Sequence, residues 1–347
     1  MIPLYSCLFY FILLPSPCSP IRILQTDPSP TATWRNFTRF LHAAKGRPVA
    51  GIAELKTYFH RFGYLQNDTV SLSDFFDKDL QSAVLKYQEY LGLPVTGKLD
   101  STTISTIISP RCGVSDTLHR RHSAFNTTSR FAYFTGHPRW KRKTPMKLSY
   151  SFSPNHTIES LTQYEIRSAF QRAFLRWSAV IPVTFTEARS YHAADIKIGF
   201  YRGDHGDGVA FDGVLGILGH AFAPEGGRIH LDKSETWAVD FRKMRSKVAV
   251  DLESVATHEI GHVLGLGHSS LPGSVMYPSL SPRTKKLSLK LDDVEGIQAL
   301  YGSNPNFTFG TLLQSENSSN GGTRSKTGSS ANLWTGVIIA QLALLLY

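Results

Sequence analysis

The stretch His258-Glu259-Ile260-Gly261-His262-Val263-Leu264-Gly265-Leu266-Gly267-His268 decides how the rest of the chain is read. Its apolar spacing is helical, so His258 and His262, four residues apart, share one face and can grip one metal ion. Gly265 ends the helix and lets the chain turn back, which brings His268 in as a third ligand. Three neutral imidazoles leave one position of a tetrahedral Zn²⁺ open for water, whose pKa the metal lowers to about 7. Glu259 beside the metal is the candidate catalytic base. It takes the water's proton and hands it to a leaving amine, work that a glutamine could not do. A bare His-Glu-x-x-His also arises on ordinary surfaces; the longer string with its glycines and third histidine is far more specific.

Outward from that helix, Leu252 to Leu264, the pattern is mixed. Leu148, Tyr150 and Phe152 alternate as in a strand, and Thr184–Phe185 and Asp195 to Phe200 are further strands. Glu165 to Val180 carries Ile166, Phe170, Phe174 and Trp177 on one helical face, and Asp292 to Tyr301 is another helix. Strands and helices interleave, so an α+β domain with a mixed sheet is expected. Nearer the start, Ile52, Leu55, Tyr58, Phe59 and Phe62 repeat at helical spacing, as do Leu80, Val84, Leu85, Tyr87 and Leu91. Gly92 and Pro94 stop the second helix, Gly97 opens a turn, and Asp100 or Ser101 caps a third, Leu99 to Ile108. This three-helix module can bind a ligand or serve as a folding or inhibitory segment. Arg120 to Lys143 is basic with few core residues and reads as an exposed linker open to cleavage.

The chain has 347 residues, 41% hydrophobic and 18% charged, which excludes wholesale disorder. The formal net charge of +10 decides nothing alone, and the single run Arg139 to Lys143 is too little for a nucleic-acid partner. Three cysteines, Cys7, Cys18 and Cys112, are too few for a disulfide scaffold or a cysteine-built zinc finger. The apolar run Leu4 to Leu14, followed by small and turn-forming residues, reads as a secretory signal peptide over 1–20, with a short N-terminal anchor as the alternative. Sequons at Asn36, Asn67, Asn126, Asn155, Asn306 and Asn317 point the same way. At the other end, Asn320-Gly321-Gly322, a polar spacer and an apolar tail have the order of a GPI-attachment signal at Asn320; a tail anchor is the alternative.

Met276 follows His268 by eight residues, in Val275-Met276-Tyr277-Pro278. With it, the histidine string resembles that of the metzincin endopeptidases and their Met-turn, and Ser269 after the third histidine resembles the matrix metalloproteinases, or matrixins. Pro110-Arg111-Cys112-Gly113-Val114-Ser115-Asp116 resembles the matrixin cysteine switch, apart from Ser115, where the family usually has Pro. The resemblance covers most of the mature chain and implies a twisted mixed five-stranded sheet with three helices, preceded by a three-helix propeptide. It implies that Cys112 is the fourth zinc ligand of a latent form and that Arg111 and Asp116 pair to hold the loop. The order of segments is then signal peptide 1–20, propeptide 21–130, zinc metalloproteinase domain 131–303, linker 304–320 and a removed anchor signal 321–347. Phe131 to Trp140 resembles the mature start, so activation cuts between Asp116 and Tyr133, with Arg120-Arg121 a basic candidate and Arg139 to Lys143 part of the first strand. A short protease without a hemopexin-like domain, ending in a GPI-type tail, is most similar to the plant matrixins.

The same resemblance implies a structural zinc at His205, Asp207, His220 and His230, and a calcium site at Asp212, Asp232 and Glu235 with the carbonyls of Gly213, Leu215 and Ile217. Turn capping is the plainer role for those acids. Asp195 keeps one ligand of a second calcium site, but Arg228 stands where an acid is expected. Leu218 and Gly219 resemble the edge strand that takes an extended peptide. Pro278, the loop Ser279 to Lys290 and the small Ser254 would shape the pocket for the residue after the scissile bond (P1′), with a preference for Leu or a similarly large apolar side chain. Asp292 and Asp293 are candidates to receive the new N-terminal ammonium, or simply cap a helix. The expected protein is a secreted, GPI-anchored, monomeric zymogen with protein substrates and a separate activating protease. Its rival is an inactive cell-surface binding protein on the same scaffold; a different metzincin enzyme, or a glycan-binding N-terminal domain that stays in the mature protein, are further readings.

Overall fold

The computed structural model describes residues 33–65, 73–116, 130–308 and 310. The expected signal peptide, Cys7, Cys18, Arg120-Arg121, Asn67, Asn126, Asn317, Asn320 and the apolar tail lie outside them. After a short 3-10 helix, Thr33–Phe40, come α1 (Ile52–Arg61), α2 (Lys78–Tyr90) and α3 (Ser101–Ile107). The helical periodicity is thus realised, and Asp100 is the cap of α3, its carboxylate accepting from the Thr103 N–H at 2.8 Å. The aromatic faces of these helices close on one another: Trp34, Phe37, Tyr58, Phe59, Phe62 and Tyr87 are buried in one cluster.

The second half builds a sheet with strand order β1-β5-β6-β4-β2-β3. The strands are β1 (Arg111–Cys112), β2 (Met146–Phe152), β3 (Val183–Glu187), β4 (Ile196–Tyr201), β5 (Ile217–Ala221) and β6 (Arg228–Asp232). Strand β5 is antiparallel to β6, and the other pairings are parallel. The five expected strands are therefore β2 to β6, and the switch motif adds a sixth. Helices α4 (Gln163–Val180), α5 (Leu252–Val263) and α6 (Leu291–Tyr301) are the three expected of the second domain; β7 (Trp237–Ala238) and β8 (Val250–Asp251) form a separate pair. A capping box starts α4: the Glu165 N–H donates to Thr162 Oγ1, and the Thr162 N–H to the Glu165 carboxylate. Phe170, Phe174 and Trp177 of α4 pack into a core whose buried residues run from Trp140 to Leu300.

Two expectations change. Arg139 to Lys143 is not part of the first strand, which starts at Met146. Proline at 145 has no N–H for a ladder, and the segment is tied elsewhere. Trp140 is buried, with its Nε1–H donated to the Val263 carbonyl at 2.8 Å, and Arg139 donates to the Leu300 carbonyl. The stretch from 130 onward is largely exposed, as expected, but it is tied to the second domain rather than a free linker. The Arg130 N–H donates to Asp292 Oδ1 at 2.7 Å, and the Gly267 N–H to the Ala132 carbonyl at 2.7 Å. Among the described residues no helix is long and apolar enough to cross a membrane.

Candidate metal centre

Helix α5 begins at Asp251, whose carboxylate accepts from the Ser254 N–H at 2.9 Å. Every residue of the helix is buried. Helix α4 lies across it, and Trp177 donates its Nε1–H to the Thr257 carbonyl at 2.9 Å. The helix ends at Leu264, and Gly265 follows at φ 108°, where a Cβ would run into the Pro138 carbonyl. Glycine alone makes this turn without strain, and the turn delivers His268. The three Nε2 atoms then converge: His258 to His262 is 3.1 Å and His262 to His268 is 3.2 Å.

Each imidazole is oriented from behind. The Nδ1 atoms lie 2.7 Å from the Val275 carbonyl for His258, 2.8 Å from the Leu266 carbonyl for His262, and 2.7 Å from Asp116 Oδ1 for His268. A proton donated from each Nδ1 leaves each Nε2 lone pair facing the common point, which is the arrangement a metal needs. Burial pushes His258 down to about 3, keeping it neutral. Cys112 Sγ stands 3.4 Å from His262 Nε2, within the same buried group. Zn–N bonds of about 2.0–2.1 Å in a tetrahedron place donors about 3.3–3.4 Å apart, so the donor spacing and types fit zinc. Glu259 is fully buried beside them, with the Cys112 thiol as its polar neighbour, and burial raises it to about 8.

The segment around Cys112 lies in the cleft with its backbone paired on both sides. Arg111 and Cys112 run parallel to β5, and the Gly113 N–H donates to the Gly219 carbonyl at 2.8 Å. On the other side the Cys112 N–H donates to the Pro278 carbonyl at 2.9 Å, and the Leu280 N–H to the Pro110 carbonyl at 3.0 Å. Leu218, Gly219 and Pro278 are thus brought together around one extended chain. Arg111 is wholly buried, donating to Asp116 Oδ1 at 2.6 Å and to the Tyr58 hydroxyl at 3.2 Å, with its guanidinium 3.6 Å from the Phe62 ring centroid. The pairing of Arg111 with Asp116 was legible; that Asp116 also accepts from His268, and from the Tyr64 hydroxyl at 2.7 Å, was not. Met276 is buried against Gly261 of α5, and its carbonyl accepts from the Ser269 N–H at 2.9 Å.

A second converging group holds His205, Asp207, His220 and His230. Asp207 Oδ2 lies 2.9, 2.8 and 2.7 Å from nitrogens of the three histidines. Burial lowers His220 and His230 to about 4, so both are neutral donors, and four protein ligands suit a closed site. Asp212, Asp232 and Glu235 surround the next loop but do not gather as tightly as those two groups. Asp212 Oδ2 and Glu235 Oε2 are buried without partners, and desolvation raises the two acids to about 6 and about 8. Gly213, Leu215 and Ile217 spend their N–H groups on these carboxylates, which leaves hard oxygens for a cation. Asp195 is fully engaged instead. Its Oδ1 accepts from Arg142 at 3.2 Å, and its Oδ2 from the Ser149 N–H and hydroxyl at 2.8 and 2.7 Å. Ser254 is buried, its hydroxyl donating to Asp251 and accepting the Lys286 N–H at 2.8 Å. Asp292 accepts from Arg130 and from Ser269, while Asp293 accepts from Ser274, Val275 and Met276 and caps α6 at Lys290. Asn36, Asn155 and Asn306 are exposed.

Hydrolysis of a peptide bond at a metal is the chemistry that this fold and centre define. Comparison with known proteins gives it a family. Residues 139–302 match the family described as Matrixin, and residues 49–107 match one described as a putative peptidoglycan binding domain. Metalloendoproteinase 1-MMP of Arabidopsis thaliana is 52% identical over 91% of this chain and 86% of its own length. Metalloendoproteinase 4-MMP of the same plant is 54% identical over 79% of each chain, and Metalloendoproteinase 1 of Glycine max is 45% identical over 75% of this chain and 85% of its own. The chain belongs to the matrixin family of metalloendopeptidases, in its plant form.

Proposed function

We propose that this matrixin is a secreted zymogen that cleaves extracellular or cell-wall-associated proteins, using Glu259 as general base. The carrying observation is the convergence of three Nε2 atoms beside a buried glutamate. A bound Zn²⁺ would supply the Lewis acidity that polarises the scissile carbonyl and acidifies water. His258, His262 and His268 would hold it. Glu259 accepts the proton from the attacking water and returns it to the leaving nitrogen, and its position out of solvent keeps that proton in the site. Strand β5 pairs with the substrate backbone through Leu218 and Gly219, and Ser254 and Pro278 border a P1′ pocket that prefers large apolar side chains such as Leu.

Latency follows from Cys112 standing at the fourth ligand position, with Arg111 and Asp116 clamping its loop. An activating protease cuts in the segment before Phe131, and Asp292 then takes the released ammonium in place of the Arg130 N–H. His205, Asp207, His220 and His230 hold a structural zinc, and the 212–235 loop holds calcium. At Asp195 the Arg142 guanidinium meets the charge. Export by the signal peptide, glycosylation at the sequons and a GPI anchor at Asn320 place the monomeric enzyme on the outer face of the plasma membrane. Comparing a chain starting near Phe131 with its Glu259→Ala variant on a peptide library tests the mechanism. Loss of about 10²–10⁴-fold in cleavage is expected, and cleavage indifferent to the substitution or to a zinc chelator would overturn it. Release by a phosphatidylinositol-cleaving phospholipase tests the anchor; retention on the membrane would refute it.

A further inference from the structure

Beside Glu259 and His258 lies a side-chain pocket between α5 and the turn Val275 to Pro278. With Cys112 in place its cavity is about 20 Å³, room for one or two waters and too little for a leucine side chain. Two of its walls are fixed. Helix α5 carries the metal ligands, and the Val275 turn is pinned by Asp293. The movable wall is Lys286. Its backbone N–H is held by Ser254 Oγ on α5 at 2.8 Å, while its Nζ reaches the Ser279 carbonyl at 3.0 Å and stands 5.0 Å from the Tyr277 ring centroid. The side chain therefore runs from one wall of the pocket to the other. Among the described residues its ammonium forms no ion pair, the Asp293 charge acting on it only from beyond contact, and Ser279 Oγ beside it is buried without a partner. An apolar group pushed past leucine length would bury that ammonium and hydroxyl further, which is costly.

We propose that Lys286 sets the depth of the P1′ pocket, so that the released protease admits a leucine-sized side chain and turns away longer or aromatic ones. This rests on the metalloendopeptidase reading above. The test uses the full chain activated by limited proteolysis between residues 117 and 129, and peptides identical except for Leu, Phe or Trp at P1′. Lys286→Ala raises the kcat/KM ratio of Phe or Trp over Leu by about tenfold, and Lys286→Arg does not raise it. Lys286→Ser is the second deepening variant should Lys286→Ala fail to accumulate. A ratio within about twofold of the unmodified protein, in a deepened variant whose cleavage is still abolished by chelator, overturns the role of Lys286 alone. Absence of chelator-sensitive cleavage from the unmodified chain as well overturns the metalloendopeptidase reading, and the role of Lys286 with it.

Discussion

Asp116 joins the two halves of the chain through three bonds. It accepts from Arg111 and Tyr64 on the N-terminal side and from His268 in the metal centre. Both members of the Arg111–Asp116 pair are wholly buried, so removing one leaves an uncompensated charge, a cost of about 3–5 kcal/mol. Asp116→Asn should therefore loosen the clamp without touching the thiol, and Cys112→Ala should remove the thiol without touching the clamp. Both are expected to give the uncut chain at least about tenfold more peptidase activity, since 1.4 kcal/mol of lost restraint suffices for that factor. Hydrolysis of a quenched peptide by unprocessed protein measures it. A Cys112→Ala chain that stays as silent as the parent would sink the switch.

Helix α5 shows how a short element can be legible while its neighbours are not. The spacing of His258, Glu259 and His262 and the stop at Gly265 stand in the sequence, and so do the periodic apolar faces of α1, α2 and α4. Strand β1 could not be read, because two residues carry no alternation; it exists only where β5 and the 278–280 segment supply partners on either side. The run Arg139 to Lys143 misled for the opposite reason. Its charges suggest solvent, but Trp140 anchors it in the core and Arg139 ties it to the Leu300 carbonyl. Gly261 is a quieter case. A Cβ there would strike Met276 Sδ, with the Trp177 ring 3.0 Å away on the other side. Gly261→Ala should cost about 1–3 kcal/mol by overpacking and shift α5 against the Met276 turn. A thermal melt with no loss would contradict that packing.

The molecule as a whole has two cores that meet at a loop. One is drawn from residues 140–300, the other from the N-terminal helices together with Phe211 and Ile217 of the second domain. Arg61 of α1 reaches the same loop, donating to the Ala210 carbonyl at 2.7 Å. The candidate structural zinc and calcium ligands flank it, so metals bound there and the N-terminal module would stabilise overlapping ground. Which apolar residues of one domain serve the core of the other is set by docking, and no local pattern around Phe211 announces it. Chelation of divalent cations should lower the melting temperature of the full chain, with Zn²⁺ and Ca²⁺ restoring it together. A melt insensitive to both would remove the metals from the 205–235 region. The pairing of Arg111 and Cys112 with β5 carries one more consequence. An uncovered strand edge is a template on which neighbouring copies add their own strands. While the N-terminal segment lies along β5, that edge is filled, which protects the chain from self-association at its own cleft. Under the proposed activation, release of the segment would give up that shield as it opens the site.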